Sequence, residues 1–200
     1  MYSCPVPAST TTATPTKPSP ADRLLTAATE LFAAHGIRAV GIDRIIGEAG
    51  VARASLYSGF GSKDALVTEY LHQLDLRDRQ RWEDAVAGLD SPVGRIFAFF
   101  DLAIASAPVR NYRGCQYLNA ATEFPGELHG VLSPVSEHRV WLHEQLTALL
   151  TTAKIPDAPV LATKIQTIYD GALAGSKFAC SEEPIRVGRG MVADLLADAR

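Results

Sequence analysis

At 200 residues, 47% hydrophobic and 20% charged, the chain has the make-up of one globular domain or two small ones and is too apolar for a disordered protein. Its formal net charge of −3 gives no global sign of a nucleic-acid partner. Three cysteines (Cys4, Cys115, Cys180), odd in number and widely spaced, argue against a disulfide scaffold and a structural zinc site.

In chain order, the first twenty residues hold five prolines and five threonines and almost no large apolar side chains. Such a segment buries too little surface to offset its ordering entropy, so residues 1–18 are expected to form a flexible tail. Without a charged n-region and an apolar h-region, no secretory leader is expected, and a reducing cytoplasm is the expected compartment. Order should begin at Ser19, where Ser19-Pro20-Ala21-Asp22 supplies an N-cap serine, a proline at the first helical position and an acid at the third. Leu24, Leu25, Ala28, Leu31 and Phe32 then recur at helical spacing until His35-Gly36 ends the element.

The remainder also reads as successive helices, near Ile42–Ala49, Arg53–Phe60, Ser62 to about Ala87, Pro92–Ala107, Gln116–Glu123, Val131–Ala153, Ala158–Cys180 and Pro184–Ala199. Breakers separate them at Gly88, Asp90-Ser91-Pro92, Pro108 to Gly114, Pro125-Gly126, Pro156 to Pro159 and Glu183-Pro184. No sustained alternation of period two is present, so the expected fold class is all-α. The longest strongly apolar stretch, Ile96 to Phe100, stops at Asp101, which argues against a membrane partner.

Charge is divided unevenly. Residues 1–63 carry six Lys/Arg against four acids, a net of +2, and the other 137 carry thirteen against eighteen, a net of −5. A mildly basic front on an acidic body suits an anion-binding head. Within that front, Ile42, Ile45, Ile46 and Ala49 form an apolar stripe, Gly50 supplies a tight turn, and Val51, Leu56 and Phe60 continue the core. Two short helices joined by a glycine turn fit a helix-turn-helix, whose second helix enters the DNA major groove. A plain helical hairpin in a bundle fits the same pattern.

Arg23 to about Leu71 resembles the N-terminal DNA-binding domain of the TetR family of bacterial transcriptional regulators. The resemblance is carried by Ala27-Ala28-x-x-Leu31-Phe32-x-x-x-Gly36, Ile45-x-x-x-Ala49-Gly50-Val51, Leu56-Tyr57-x-x-Phe60 and Ser62-Lys63-x-x-Leu66, in the family's order and without a gap. It implies a three-helix head over residues 19–64 and a helical ligand-binding and dimerisation domain over 65–200. It also puts Ala52 to Ser58 on the recognition helix. Arg53, Ser55, Tyr57 and Ser58 then become DNA-contacting candidates, Arg53 for a guanine edge or a phosphate. Tyr57 suits a phosphate oxygen or, alternatively, packing against the first helix. Lys63, at the start of the long fourth helix, adds a phosphate site to that helix's dipole, and Gly41 and Arg44 are weaker backbone contacts. The sequence departs from the family where Gly41 and Ala52 stand in place of capping hydroxyls, each worth ~1 kcal/mol, and at Ile46 and Ser58-Gly59.

In the body, Cys115, Asn119 and Glu123 fall at i, i+4 and i+8 on one helix face. With Phe97, Phe100, Trp141 and Tyr169 as walls, they are the candidate lining of a pocket for an unidentified small-molecule effector. Capping, or an ion pair with Arg113 or Arg139, is the other reading of Asn119 and Glu123. Cys115 reads either as a redox sensor near Arg113 or as a buried inert thiol. His129, His138 and His143 are too poorly spaced for a metal site. Ile168, Gly171, Gly175, Met191 and Leu195 are the candidate dimer interface, and packing of the same stripes within one chain is the alternative. No Walker loop, GxSxG, HExxH or cofactor-binding motif occurs, so neither an enzyme nor a cofactor is expected. The expected partners are a palindromic double-stranded DNA operator, a releasing ligand and a second copy of the chain. The rival is a ligand- or protein-binding dimer of the same fold without tight DNA binding.

Overall fold

Helix α1 (Pro20–His35) begins at a reciprocal cap. The computed structural model describes residues 18–126 and 130–199. In it the Asp22 N–H donates to Ser19 Oγ at 3.1 Å, and the Ser19 N–H donates to Asp22 Oδ2 at 3.0 Å. Two donors at the helix start are thereby satisfied. The tail expected over residues 1–18 lies, apart from Pro18, outside the described residues, as do Cys4 and His129.

Eight more helices follow among the described residues: α2 (Ile42–Ala49), α3 (Arg53–Gly59), α4 (Lys63–Val86), α5 (Pro92–Val109), α6 (Gln116–Glu123), α7 (Ser133–Thr152), α8 (Ala158–Ala179) and α9 (Glu183–Asp198). No strand occurs among those residues. The elements lie where caps, glycines and prolines punctuate the sequence, with one difference. α5 runs through Pro108 to Val109 instead of stopping before it. Proline lacks the N–H owed to the carbonyl four residues back, but the turn closes around it through Arg110 N–H to Ser106 O at 3.0 Å and Tyr112 N–H to Ala107 O at 2.8 Å.

Two apolar cores form. The first gathers Leu24, Leu31, Phe32, Ile45, Leu56, Leu66 and Leu71 of α1–α4 and also takes in Tyr117, Ala120 and Phe124 from α6 and its end. The second lies among α4, α5, α7, α8 and α9, with Trp82, Ile96, Phe99, Phe100, Leu146, Leu150, Ile165 and Ile185 buried. By length and composition α5 is apolar enough to cross a membrane, but Ile96, Phe99, Phe100 and Ala103 are buried in this second core.

α8 and α9 pack closely because glycines let them. A Cβ on Gly188 would meet Ala172 Cβ at 2.8 Å, and one on Gly175 would meet Pro184 Cβ at 3.0 Å. Gly175 therefore serves packing within the chain, and Ile168 and Leu195 likewise lie against the second core. All three are half-buried, packed in part within their own chain and in part open to solvent. Gly171 and Met191 remain exposed, in company with Val160, Phe178 and Val187.

Candidate functional site

The turn between α2 and α3 is fixed by Gly50, whose left-handed φ of +59° caps α2 and whose carbonyl accepts from Arg23 Nη2 at 3.0 Å. A side chain at Gly50 would collide with that guanidinium. Gly41 and Ala52 are the extended N-caps of α2 and α3, and neither helix has a side-chain cap. Gly41, Arg44, Ala52, Arg53, Tyr57 and Ser58 are all exposed, and Ser55 is half-buried. Tyr57 is 49% exposed, so its ring is not sequestered against α1. Arg44 Nη2 lies 2.8 Å from His35 Nε2. Arg53 pairs with Asp43, the two side chains being 56% and 82% exposed. A pair so exposed is worth ~0–1 kcal/mol, which makes its exchange for a phosphate or a base edge cheap.

Lys63 sits differently from its neighbours. Its Nζ donates to Ile37 O at 2.9 Å and lies 6.0 Å from the Phe32 ring. Partial burial lowers its pKa from the usual lysine value. The ammonium thus braces the α1–α2 loop with one donor while two others remain for an anion. Ser62 caps α4 by accepting from the Ala65 N–H at 3.1 Å.

A cavity of about 110 Å³ opens in the second core, lined by residues of α4, α5, α7, α8, the loop before α6, and α6 itself. Of the lining expected from sequence, Cys115, Trp141 and Tyr169 are there. The other four are not. Phe100 is buried behind Tyr169, edge-on with ring centroids 5.1 Å apart, and Phe97 lies under the Arg189 guanidinium at 4.4 Å. A helix turns by about 100° per residue, so Phe99 is the α5 ring that faces the cavity. Asn119 Nδ2 donates to Arg113 O at 2.9 Å, and its Oδ1 accepts from Lys177 Nζ at 3.0 Å. Glu123 reaches the head, where Oε2 accepts from the Arg38 N–H at 2.6 Å. Gly36 has a φ of +87°, a backbone that favours glycine, and a Cβ there would sit 2.9 Å from Glu123 Oε1.

Several residues that sequence reasoning missed complete the wall. Trp82 stacks on Phe99 at 5.0 Å, and Trp141 meets both edge-on at 5.8 and 6.0 Å. Asp78, Arg81 and Arg110 form a polar end, with Arg110 Nη2 3.2 Å from Asp78 Oδ1 and Tyr117 OH donating to Asp78 Oδ2 at 3.1 Å. Trp82 was findable as the lone aromatic in a charged run, four residues after Asp78. Burial pushes the Cys115 thiol up to about 11, which favours the thiol over the reactive thiolate.

His138, also on the cavity wall, stacks on Tyr117 at 3.8 Å with its Nδ1 2.8 Å from Asp75 Oδ1. Arg79 completes the cluster, its Nη2 2.7 Å from Asp75 Oδ2. Burial alone raises the Asp75 pKa, but hydrogen bonds from His138 and Arg79 outweigh it and hold it below the usual carboxylate value. His143 turns elsewhere, its Nε2 3.2 Å from Thr163 Oγ1.

The chain resembles known proteins at two levels. Residues 24–70 match the family described as bacterial regulatory proteins, tetR family. The crystal structure of SCO4454, a TetR-family transcriptional regulator from Streptomyces coelicolor, superposes with a TM-score of 0.83 at 34% identity, over 88% of this chain and 94% of that one. A putative TetR transcriptional regulator from Streptomyces avermitilis shares the fold, with a TM-score of 0.80 at 24% identity over 92% and 100% of the two chains. The HTH-type transcriptional regulator LmrA of Bacillus subtilis is 34% identical over 79 residues, which span 39% of this chain and 42% of that protein.

Proposed function

The chain belongs to the TetR family of bacterial transcriptional regulators, and from that premise we propose that it is a repressor, binding a palindromic operator as a homodimer and releasing it when a small molecule fills the cavity of the second core. The observation that carries this reading is the course of α6. Its first turn, with Gln116 and Tyr117, lines the cavity, and its far end holds the head through Glu123 and through Phe124, whose ring lies 4.9 Å from the Arg38 guanidinium. Eight residues of helix, about 12 Å, thus join a ligand site to the support of the recognition helix. A ligand that favours another position of α6 changes the head's placement, and with it the affinity for DNA.

Dimerisation is assigned to the exposed side of α8 and α9, around Gly171, Met191, Val160 and Val187, where apolar side chains face solvent. A two-fold axis there sets two copies of α3 against successive major grooves, about 34–36 Å apart in the simplest arrangement. The protein would act in the cytoplasm, where such an operator lies.

The decisive test is operator binding across a salt series with genomic fragments selected by the purified protein. Lys63→Ala is expected to flatten the salt slope by about one, and Arg53→Ala to weaken binding and relax one operator position, by about 1–3 kcal/mol. Equal affinities for wild type and both variants overturn the assignment. They favour instead a ligand-binding dimer that leaves DNA alone, a reading supported by the uncapped Gly41 and Ala52 and by Asp43 on Arg53.

A further inference from the structure

The cavity carries more positive charge than it can neutralise. Three guanidinium groups, of Arg81, Arg110 and Arg113, line it beside the single carboxylate of Asp78. That carboxylate is already engaged by Arg110 and by the Tyr117 hydroxyl, and Arg81 stands 3.8 Å off while donating to Ser106 Oγ at 2.8 Å. Arg113 has no ion pair among the described residues, and its Nε is buried without a hydrogen-bond partner, alone in this among their side-chain atoms. The other ionisable wall groups supply no anion: His138 is a base, with its Nδ1 on Asp75, and burial raises the Cys115 thiol and the Tyr117 and Tyr169 hydroxyls above their usual values. Arg113 as a whole is half-buried, but a buried guanidinium nitrogen left without a partner is costly, and a carboxylate satisfies it through two parallel hydrogen bonds.

The rest of the wall is aromatic and small. Trp82, Phe99 and Trp141 make one mutually packed cluster, and rings prefer partners that offer them an edge or an offset face. A volume of about 110 Å³ is on the scale of the ~150 Å³ cavity that accepts benzene, the size of a single ring.

From these observations, we propose that the cavity takes a small aromatic carboxylate, its ring among Trp82, Phe99 and Trp141 and its carboxylate on Arg113 and Arg110. This deepens the effector reading above and rests on it. The two tryptophans of the chain, Trp82 and Trp141, both line the cavity, so intrinsic fluorescence reports occupancy directly. The full-length protein is titrated with benzoate, benzamide and benzylamine, following tryptophan emission and the melting temperature. Benzoate is expected to change the emission and raise the melting temperature, with benzamide about tenfold weaker, as befits loss of a charge-assisted pair, and benzylamine without effect. Arg113→Gln should abolish the preference for benzoate over benzamide, and Ala103→Leu, which fills the cavity, should abolish both responses. Should Arg113→Gln fail to fold, Arg81→Gln, at a side chain 44% exposed, removes one of the same positive charges and should narrow the preference. Benzamide binding as tightly as benzoate, or a variant that folds and keeps the full preference, overturns the carboxylate proposal and leaves the effector site standing. No response to any probe, in protein that still binds DNA, overturns the effector site as well.

Discussion

In the head, Arg53 meets Asp43 with both side chains largely in water. On α4, Asp75 is 3% exposed and gathers Arg79 from its own helix and His138 from α7. The groups are the same and their surroundings differ. An exposed pair competes with water at every moment and gives way to a stronger anion at little cost. A buried one cannot be opened without stranding a charge, and it fixes the elements that carry it. The Arg53–Asp43 pair of the head can thus open at little cost, whereas the charges around Asp75 hold α7 against α4 beside the cavity.

Asp75→Ala should show the largest effect of any charge removal here, a loss of about 3–5 kcal/mol in urea unfolding, whereas Asp43→Ala should change stability by about 1 kcal/mol or less. Similar small losses at both sites would erase the distinction. The pH dependence sharpens it further. The folded pKa of Asp75 is held below its ordinary 3.8, so its contribution is fully present above that value and is lost as pH falls through the lower, folded one. The unfolding midpoint of wild type should therefore drop below about pH 4, and Asp75→Asn should flatten that limb of the curve.

Glu123 joins the two regions and should give an intermediate effect. Its carboxylate is exchanged for a neutral methyl in Glu123→Ala, freeing the Arg38 N–H and the Gly36 turn, at a cost of about 1.5–3 kcal/mol for a charged acceptor. The variant should still fold, and its operator affinity should respond less to any ligand of the cavity. Unchanged coupling would mean that the head is held by apolar contacts alone.

The order of helices was legible because local signals set it. Ser19-Pro20 and Ser62 cap, Gly36 and Gly50 end, and prolines mark the breaks, each acting within a turn of its own position. The lining of the cavity was not legible to that degree. Whether Phe97, Phe99 or Phe100 faces it depends on how α5 is rotated against α4 and α7, and no local pattern records a rotation. Glu123 finds its partner 85 residues away, and Gly175 meets Pro184 of its own chain because α8 and α9 happen to cross there. Helical spacing told which residues share a face. It did not tell what the face would meet.

The smallest expected effect concerns the head's missing hydroxyl caps. Ala52 and Gly41 both have the extended backbone of an N-cap (ψ 149° and 158°) but no side-chain acceptor. Ala52→Ser should supply one to α3 and gain about 1 kcal/mol, while Gly41→Ser, replacing a residue already favoured at the cap, should gain only a few tenths. Open space surrounds Gly41, and Ala52 is exposed, so neither change meets a steric obstacle. If the head is the loosely held partner in the comparison, both gains should appear in its local hydrogen exchange at α2 and α3 and leave the protection of α4 around Asp75 unchanged. A gain spread evenly over both regions would show instead that head and body unfold as one unit, with the ion cluster and the open turn sharing a single stability.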